Sequence, residues 1–129
     1  MIQTDNRPIY VKLADQICDR ILLDEYRKLE RIPSVREYAV SQQVNPATAA
    51  RAFEMLERQG VIFNKRGLGF FVAESAVDII RKIRLETLLG EESELFFSRL
   101  AVLEVTPEQL KEMYANFLVK QRSFNSAHT

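Results

Sequence analysis

Two strong helix-start signals and one helix-stop signal follow each other closely in the first half of the chain. The sequence SVRE at 34–37 has the form of a capping box, in which a serine caps the helix and a glutamate reaches back to it. Asn-Pro at 45–46 is an N-cap followed by proline at the first helical position. Gly60 suits the left-handed conformation that often ends a helix. These signals predict a helix over about 34–42, a tight turn, and a second helix that ends at about Gln59.

A β-hairpin is predicted directly after the second helix. The segments 61–63 and 70–72 are short, apolar and rich in residues that favour strands. The residues between them include two glycines and the cations Lys65 and Arg66, which is typical of a tight turn with a basic tip. Two short helices joined by a tight turn and followed by such a hairpin indicate a winged helix-turn-helix.

Apolar residues at spacings of three and four predict helices on both sides of this segment. One helix is predicted from Pro8 to about Asp24, and two or three more between residues 75 and 122. The stretch 123–129 is polar, and we expect it to be disordered. The apolar positions assigned to the helix faces that form the core are Ile9, Leu13, Ile17, Ile21, Val35, Tyr38, Ala39, Val40, Ala49, Ala52, Phe53 and Leu56.

The predicted fold is mainly α-helical with one small β-hairpin, and it has three regions. A winged helix-turn-helix domain covers 1–74, an α-helical C-terminal dimerisation domain covers 75–122, and 123–129 is the disordered tail. The C-terminal helices carry more apolar surface than a small neighbouring domain can cover. We expect a second copy to cover it, since apolar burial contributes about 25 cal/mol per Å². The residues predicted at this homodimer interface are Ile80, Ile83, Leu88, Phe96, Leu100, Tyr114 and Phe117.

Composition argues against several classes of protein. Of the 129 residues, 47% are apolar and 28% charged, as in ordinary globular proteins, and no apolar run is long enough to span a membrane. The single cysteine, Cys18, and the single histidine, His128, leave no disulfide framework and no common zinc-site spacing. There is no Gly-rich phosphate loop and no nucleophile–histidine pair. We therefore expect a cytoplasmic protein that is not an enzyme and needs no metal or cofactor.

The net charge of zero does not exclude double-stranded DNA as a partner, because the placement of the cations matters more than their sum. In a helix-turn-helix the start of the second helix meets base edges in the major groove, and its free N–H groups favour phosphate. The basic hairpin tip is suited to phosphates or the minor groove. The candidate DNA-binding residues are Ser34, Arg36, Asn45, Pro46, Ala47, Thr48, Arg51, Lys65, Arg66 and Gly67.

These motifs in combination resemble the GntR family of bacterial regulators, and the Val-Asn-Pro-x-Thr form with a short helical tail is similar to the YtrA-like subfamily. The resemblance covers about residues 7 to 73. The segments that carry it are PIY at 8–10, IPSVREYA at 32–39, VNPAT at 44–48, AFEMLERQGVI at 52–62 and GLGFFV at 67–72.

The resemblance implies a dimer that binds an inverted repeat, with the C-terminal helices making the dimer contact. By position it implies DNA contacts at Arg36, Asn45, Thr48, Arg66 and Gly67, and further ones at Ala47 and Arg51. The chain departs from the family at Asp24 and Leu29, where glycines are usual, so we expect a different backbone in this connector.

A sequence-specific transcription regulator, most simply a repressor, is the function that these features favour. The alternative is a winged-helix module that binds protein instead of DNA through its C-terminal apolar stripe, and a neutral or acidic recognition face would favour it. A small-molecule effector site in the C-terminal helices is left open, although no convergent polar groups point to one.

Overall fold

The computed structural model describes residues 5–128 and confirms the predicted fold class, a mostly helical chain with a two-stranded antiparallel hairpin. In chain order the elements are α1 (Ile9–Leu22), α2 (Val35–Gln42), α3 (Pro46–Gln59), β1 (Ile62–Lys65), β2 (Gly69–Val72), α4 (Ala76–Leu89), α5 (Glu91–Val102) and α6 (Pro107–His128). Among the described residues no helix is both long and apolar enough to cross a membrane.

The described chain forms two compact units, one ending at Arg84 and the other beginning at Leu85. The boundary therefore falls inside α4, later than residue 74 where the sequence placed it. Most of α4 belongs to the first unit because Ala76 and Ile80 are buried in its core, at 1% and 2% exposure. The Arg84 guanidinium also ties α4 to α1, through the Asp19 carboxylate at 2.8 Å. The prediction that Ile80 lies at a dimer interface is wrong, since its side chain is a core residue.

The core of the first unit forms where the apolar faces of α1, α2 and α3 meet. Phe53 of α3 lies at its centre, with its ring centroid 5.9 Å from that of Tyr38 and 5.2 Å from that of Phe70. The Tyr38 hydroxyl donates to the Gln16 side-chain oxygen at 3.1 Å, which satisfies this buried polar group. The predicted residues confirmed as buried are Leu13, Ile17, Ile21, Tyr38, Ala39, Ala49, Ala52, Phe53 and Leu56.

Two of the core predictions are wrong. Val40 is 73% exposed and Ile9 is 59% exposed. Val40 is in the last turns of the short helix α2, whose buried residues are Tyr38 and Ala39. Ile9 is the first residue of α1, where the apolar face begins before any neighbour covers it.

The predicted start signals of α2 and α3 and the predicted stop signal of α3 are confirmed by hydrogen bonds and by backbone conformation. The Glu37 N–H donates to Ser34 Oγ at 3.1 Å, and the Ser34 N–H donates to Glu37 Oε1 at 3.2 Å, so the capping box is complete. Asn45 Oδ1 accepts the Ala47 N–H at 2.8 Å at the start of α3. Gly60 ends α3 with φ +83°, in the left-handed conformation.

The hairpin is wider than the sequence predicted, because the connector after α1 pairs with it. β1 and β2 pair from Ile62 with Val72 to Lys65 with Gly69. On the other edge of β2, the Leu29 N–H donates to the Val72 carbonyl at 2.8 Å, and the Val72 N–H donates to the Glu30 carbonyl at 3.0 Å. The wing is therefore hydrogen-bonded along both edges of β2.

Asp24 and Leu29 in the connector have φ of +64° and +66°. This left-handed region is the one that glycine enters without steric cost. The chain thus keeps, with an aspartate and a leucine, the backbone conformation that glycine favours. The expectation of a different backbone at these two positions is not supported.

In the second unit, α6 begins with a complete capping box between Thr106 and Gln109. α6 continues through residues 123–128, the stretch for which the sequence predicts a disordered tail. α5 has no buried residue. The large apolar side chains exposed in this unit include Leu88, Leu95, Phe96, Phe97, Leu103, Met113, Tyr114 and Phe117.

Candidate nucleic-acid interface

The start of α3 presents polar and small side chains to solvent. Asn45, Pro46 and Ala47 are exposed, and Thr48 is half-buried. The Thr48 hydroxyl makes no hydrogen bond to any described residue, so it is not consumed by bonding back to the helix. No acidic residue lies in the first turn of α3. This end of the helix is therefore open to a negatively charged partner.

At the start of α2, the side chains of Ser34 and Glu37 cap the helix, whereas the side chain of Arg36 has no partner among the described residues. The Ser34 side chain accepts the Glu37 N–H, so it is committed to the cap. The hydrogen bond that the Ser34 N–H donates to the Glu37 carboxylate is the main cause that holds the pKa of Glu37 below its ordinary value. Arg36 is exposed and makes no ion pair with any described residue. Its guanidinium is available to a phosphate.

The two cations of the wing tip differ in their surroundings. Lys65 Nζ lies 4.7 Å from the ring centroid of Phe71 and 5.8 Å from that of Phe63, over a stacked aromatic pair. Arg66 is exposed and has no partner among the described residues. Gly67 has φ +79°, and a Cβ there would meet nothing within 4 Å. The tip is therefore free to approach another backbone closely.

Arg51, one turn beyond the start of α3, is held by a residue that the sequence did not single out. Its Cζ lies 4.3 Å from the ring centroid of Tyr10, in the first turn of α1. In the sequence, Tyr10 belongs to the PIY segment at 8–10, and no contact with Arg51 is predicted for it. A cleft of about 330 Å³ opens here, and its lining residues are Pro8, Ile9, Tyr10, Ala47, Thr48 and Arg51.

The charges of the chain are unevenly divided. Up to Arg84 there are fourteen basic and eleven acidic residues, and from Leu85 onward four basic and seven acidic. No acidic residue occurs between Glu37 and Glu54, the stretch that contains the turn and the first half of α3. None occurs between Glu57 and Glu74, which contains the wing. The zero net charge thus conceals a first unit with an excess of cations.

Comparison with known proteins gives the family. The model of the GntR family, described as bacterial regulatory proteins, matches residues 9–72. A regulator from Bacillus subtilis, the uncharacterized HTH-type transcriptional regulator YhcF, is 36% identical over 112 residues, which are 87% of this chain and 91% of that protein. The chain belongs to the GntR family.

Two further relatives show which members of the GntR family this chain resembles. The HTH-type transcriptional repressor YtrA of Bacillus subtilis is 38% identical over 79 residues, 59% of this chain and 61% of the relative. The crystal structure of a GntR regulator from Bacteroides thetaiotaomicron is 46% identical, with a TM-score of 0.80 over 88% of this chain and 99% of that one. The chain is a YtrA-like GntR transcription regulator with a DNA-binding helix-turn-helix, not an enzyme.

The sites predicted for this GntR chain fall in two places. The candidate DNA contacts all lie in the first unit, at the starts of α2 and α3 and at the wing tip. Of the remaining predicted dimer residues, Ile83 and Leu100 are half-buried, and the others are exposed. No group of three or more acidic, cysteine or histidine side chains in the described range is placed to hold a metal ion.

Proposed function

We propose that this chain binds an inverted-repeat operator as a homodimer and represses transcription in the cytoplasm. The observation that carries the proposal is that two exposed guanidiniums, Arg36 on α2 and Arg66 at the wing tip, have no partner among the described residues, while the first turn of α3 contains no acidic residue. Arginines without protein partners are available for DNA phosphates, which dominate binding affinity. Repression is proposed because the relative YtrA is named a repressor.

The homodimer is proposed because the second unit has a large exposed apolar surface. Its described helices expose large apolar side chains such as Phe96, Tyr114 and Phe117, and a second copy offers a matching surface by symmetry. A two-fold dimer would present two α3 helices to half-sites about one helical turn, roughly 34 Å, apart. This requirement is the reason for proposing an inverted repeat.

The proposal is tested by fluorescence anisotropy with a duplex from the promoter of the gene itself, containing a palindromic site, and with a scrambled duplex. We expect tight binding that weakens steeply as salt is raised, because phosphate contacts release counterions. Arg66→Gln should weaken binding to both duplexes alike and reduce the salt slope by about 0.9. Arg58→Gln, in the last turn of α3, removes the same charge and should leave the slope unchanged.

Binding that does not respond to salt, or equal effects of the two variants, would contradict the DNA-binding proposal. A chain without DNA affinity would instead fit a winged-helix module that binds another protein. The acid-free α3 start does not favour that alternative.

A further inference from the structure

The contact between Tyr10 and Arg51 joins α1 to the helix proposed to read DNA. The guanidinium lies over the face of the tyrosine ring at 4.3 Å, well within the range of a cation–π interaction. Tyr10 is half-buried and packs against the core of the first unit, so its ring is fixed. Arg51 makes no ion pair and no hydrogen bond with any described residue. The ring is therefore what holds this arginine in place.

The contact with the ring leaves the hydrogen-bond donors of the arginine unused. A guanidinium carries five N–H donors, and none of those of Arg51 donates to a described residue. They remain available at the edge of the cleft that Ala47 and Thr48 also line. An arginine fixed in advance binds more tightly, because less side-chain freedom is lost when the partner arrives.

We propose that Tyr10 is a positioning residue, which holds Arg51 so that its guanidinium clamps one DNA phosphate beside α3. The inference rests on the proposed DNA binding and adds a residue of α1 to it. A phosphate is the favoured partner because Arg51 lies one turn beyond the leading residues 45–47 of α3 and its guanidinium is held against the Tyr10 ring of α1. Side chains at the leading end of a recognition helix are the ones that meet base edges.

The test is a double-mutant cycle measured as dissociation constants for the operator and the scrambled duplex, with the melting temperature of every variant. Tyr10→Leu removes the aromatic face and should weaken binding to both duplexes about three- to tenfold. Tyr10→Phe keeps the face and should bind within about twofold of the wild type. Arg51→Met should reduce the salt slope by about 0.9, and Tyr10→Leu should then have no further effect.

Several results would overturn the inference. One is an equal loss from Tyr10→Leu with and without Arg51, which would make Tyr10 only a packing residue. Another is a loss of DNA affinity in Tyr10→Phe equal to that in Tyr10→Leu, which would assign the effect to the hydroxyl. A loss confined to the operator would assign Arg51 to a base. If Tyr10→Leu lowers the melting temperature strongly, Tyr10→Met, which also lacks the ring but adapts its shape, replaces it in the cycle.

The same titrations separate this inference from the proposed function. A wild-type chain that binds the operator, combined with a cycle that shows no coupling, contradicts only the role of Tyr10. A wild-type chain that binds neither duplex contradicts the proposed function, and the positioning role falls with it.

Discussion

At the scale of single residues, the polar groups around the start of α3 divide by what they already bind. Ser34 and Asn45 use their side-chain oxygens to cap helices, so their replacement affects folding as well as binding. Arg36 and Arg66 are bound to nothing among the described residues, so their replacement leaves the fold intact. Variants of the two kinds must therefore be judged by different measurements.

Leu29 holds φ +66°, a conformation that costs a non-glycine residue roughly 1–2 kcal/mol. Leu29→Gly should relieve this strain. Glycine also gives the unfolded chain more conformational freedom, which offsets part of the stabilisation. The net effect should be a free energy of unfolding that is about 0.5 kcal/mol higher. Leu23, also an exposed leucine but with φ −84°, is the matched control. Leu23→Gly should lower stability, and chemical denaturation measures both. A loss in both variants would show that Leu29 is not strained.

Burial raises the pKa of the Cys18 thiol from its ordinary 9.0 to about 11. Between these values the unfolded chain loses the proton while the folded chain keeps it, so the unfolded state gains the advantage as pH rises. Stability should therefore decline from about pH 9 to pH 11, by up to about 2 kcal/mol. Thermal melts across this range measure the decline, and Cys18→Ala should remove that part of it. An identical decline in Cys18→Ala would contradict the assignment.

At the scale of elements, the cap of α3 offers a way to separate folding from DNA binding. Asn45→Asp keeps an oxygen that accepts the Ala47 N–H, and a carboxylate is favourable at a helix start, so the melting temperature should be unchanged or higher. The added negative charge faces the proposed DNA phosphates, and the affinity should fall at least about tenfold.

Thr106→Asp is the matched control for that variant. Thr106 caps α6 in the second unit, so an aspartate there adds the same negative charge at a helix cap that lies outside the proposed DNA interface. It should leave operator binding within about twofold of the wild type. Equal losses from the two variants would mean that net charge alone is responsible.

The elements that the sequence predicted well are those set by local chemistry. The Ser34–Glu37 capping box, the Asn45 cap and the Gly60 stop depend on atoms a few residues apart, and each is found as predicted. The exposure of Val40 depends on which neighbour covers the end of α2, which no local pattern encodes. The pairing of Leu29 with Val72 joins residues far apart in the chain, so the charged connector gave no sign of it.

The same distinction applies to the candidate site. The candidates on α2, α3 and the wing followed from motif spacing, whereas Tyr10 was missed because the role proposed for it depends on a contact between two helices. The PIY sequence at the start of α1 was visible as a helix start, but nothing in it pointed to an arginine of α3.

At the scale of the whole molecule, the exposed apolar surface of the second unit should decide the oligomeric state. Phe117→Glu places a charge on α6 where an apolar side chain is proposed to meet a second copy. Sedimentation should show a monomer, and operator affinity should fall because only one half-site is bound at a time. Lys111→Glu, also on α6 but at a polar position, should remain dimeric. A wild-type monomer would contradict the proposal.

The hydrogen bonds between the connector and β2 also constrain how the gene can change. An extra residue inserted between Leu29 and Ile32 would shift the alternation of side chains in this extended segment, turning buried Ile32 outward and Arg31 inward. Because this segment leads directly into α2, such an insertion would alter the wing and α2 together. We therefore expect natural variants of this protein to tolerate length changes before Leu29, but none in the three residues that follow it.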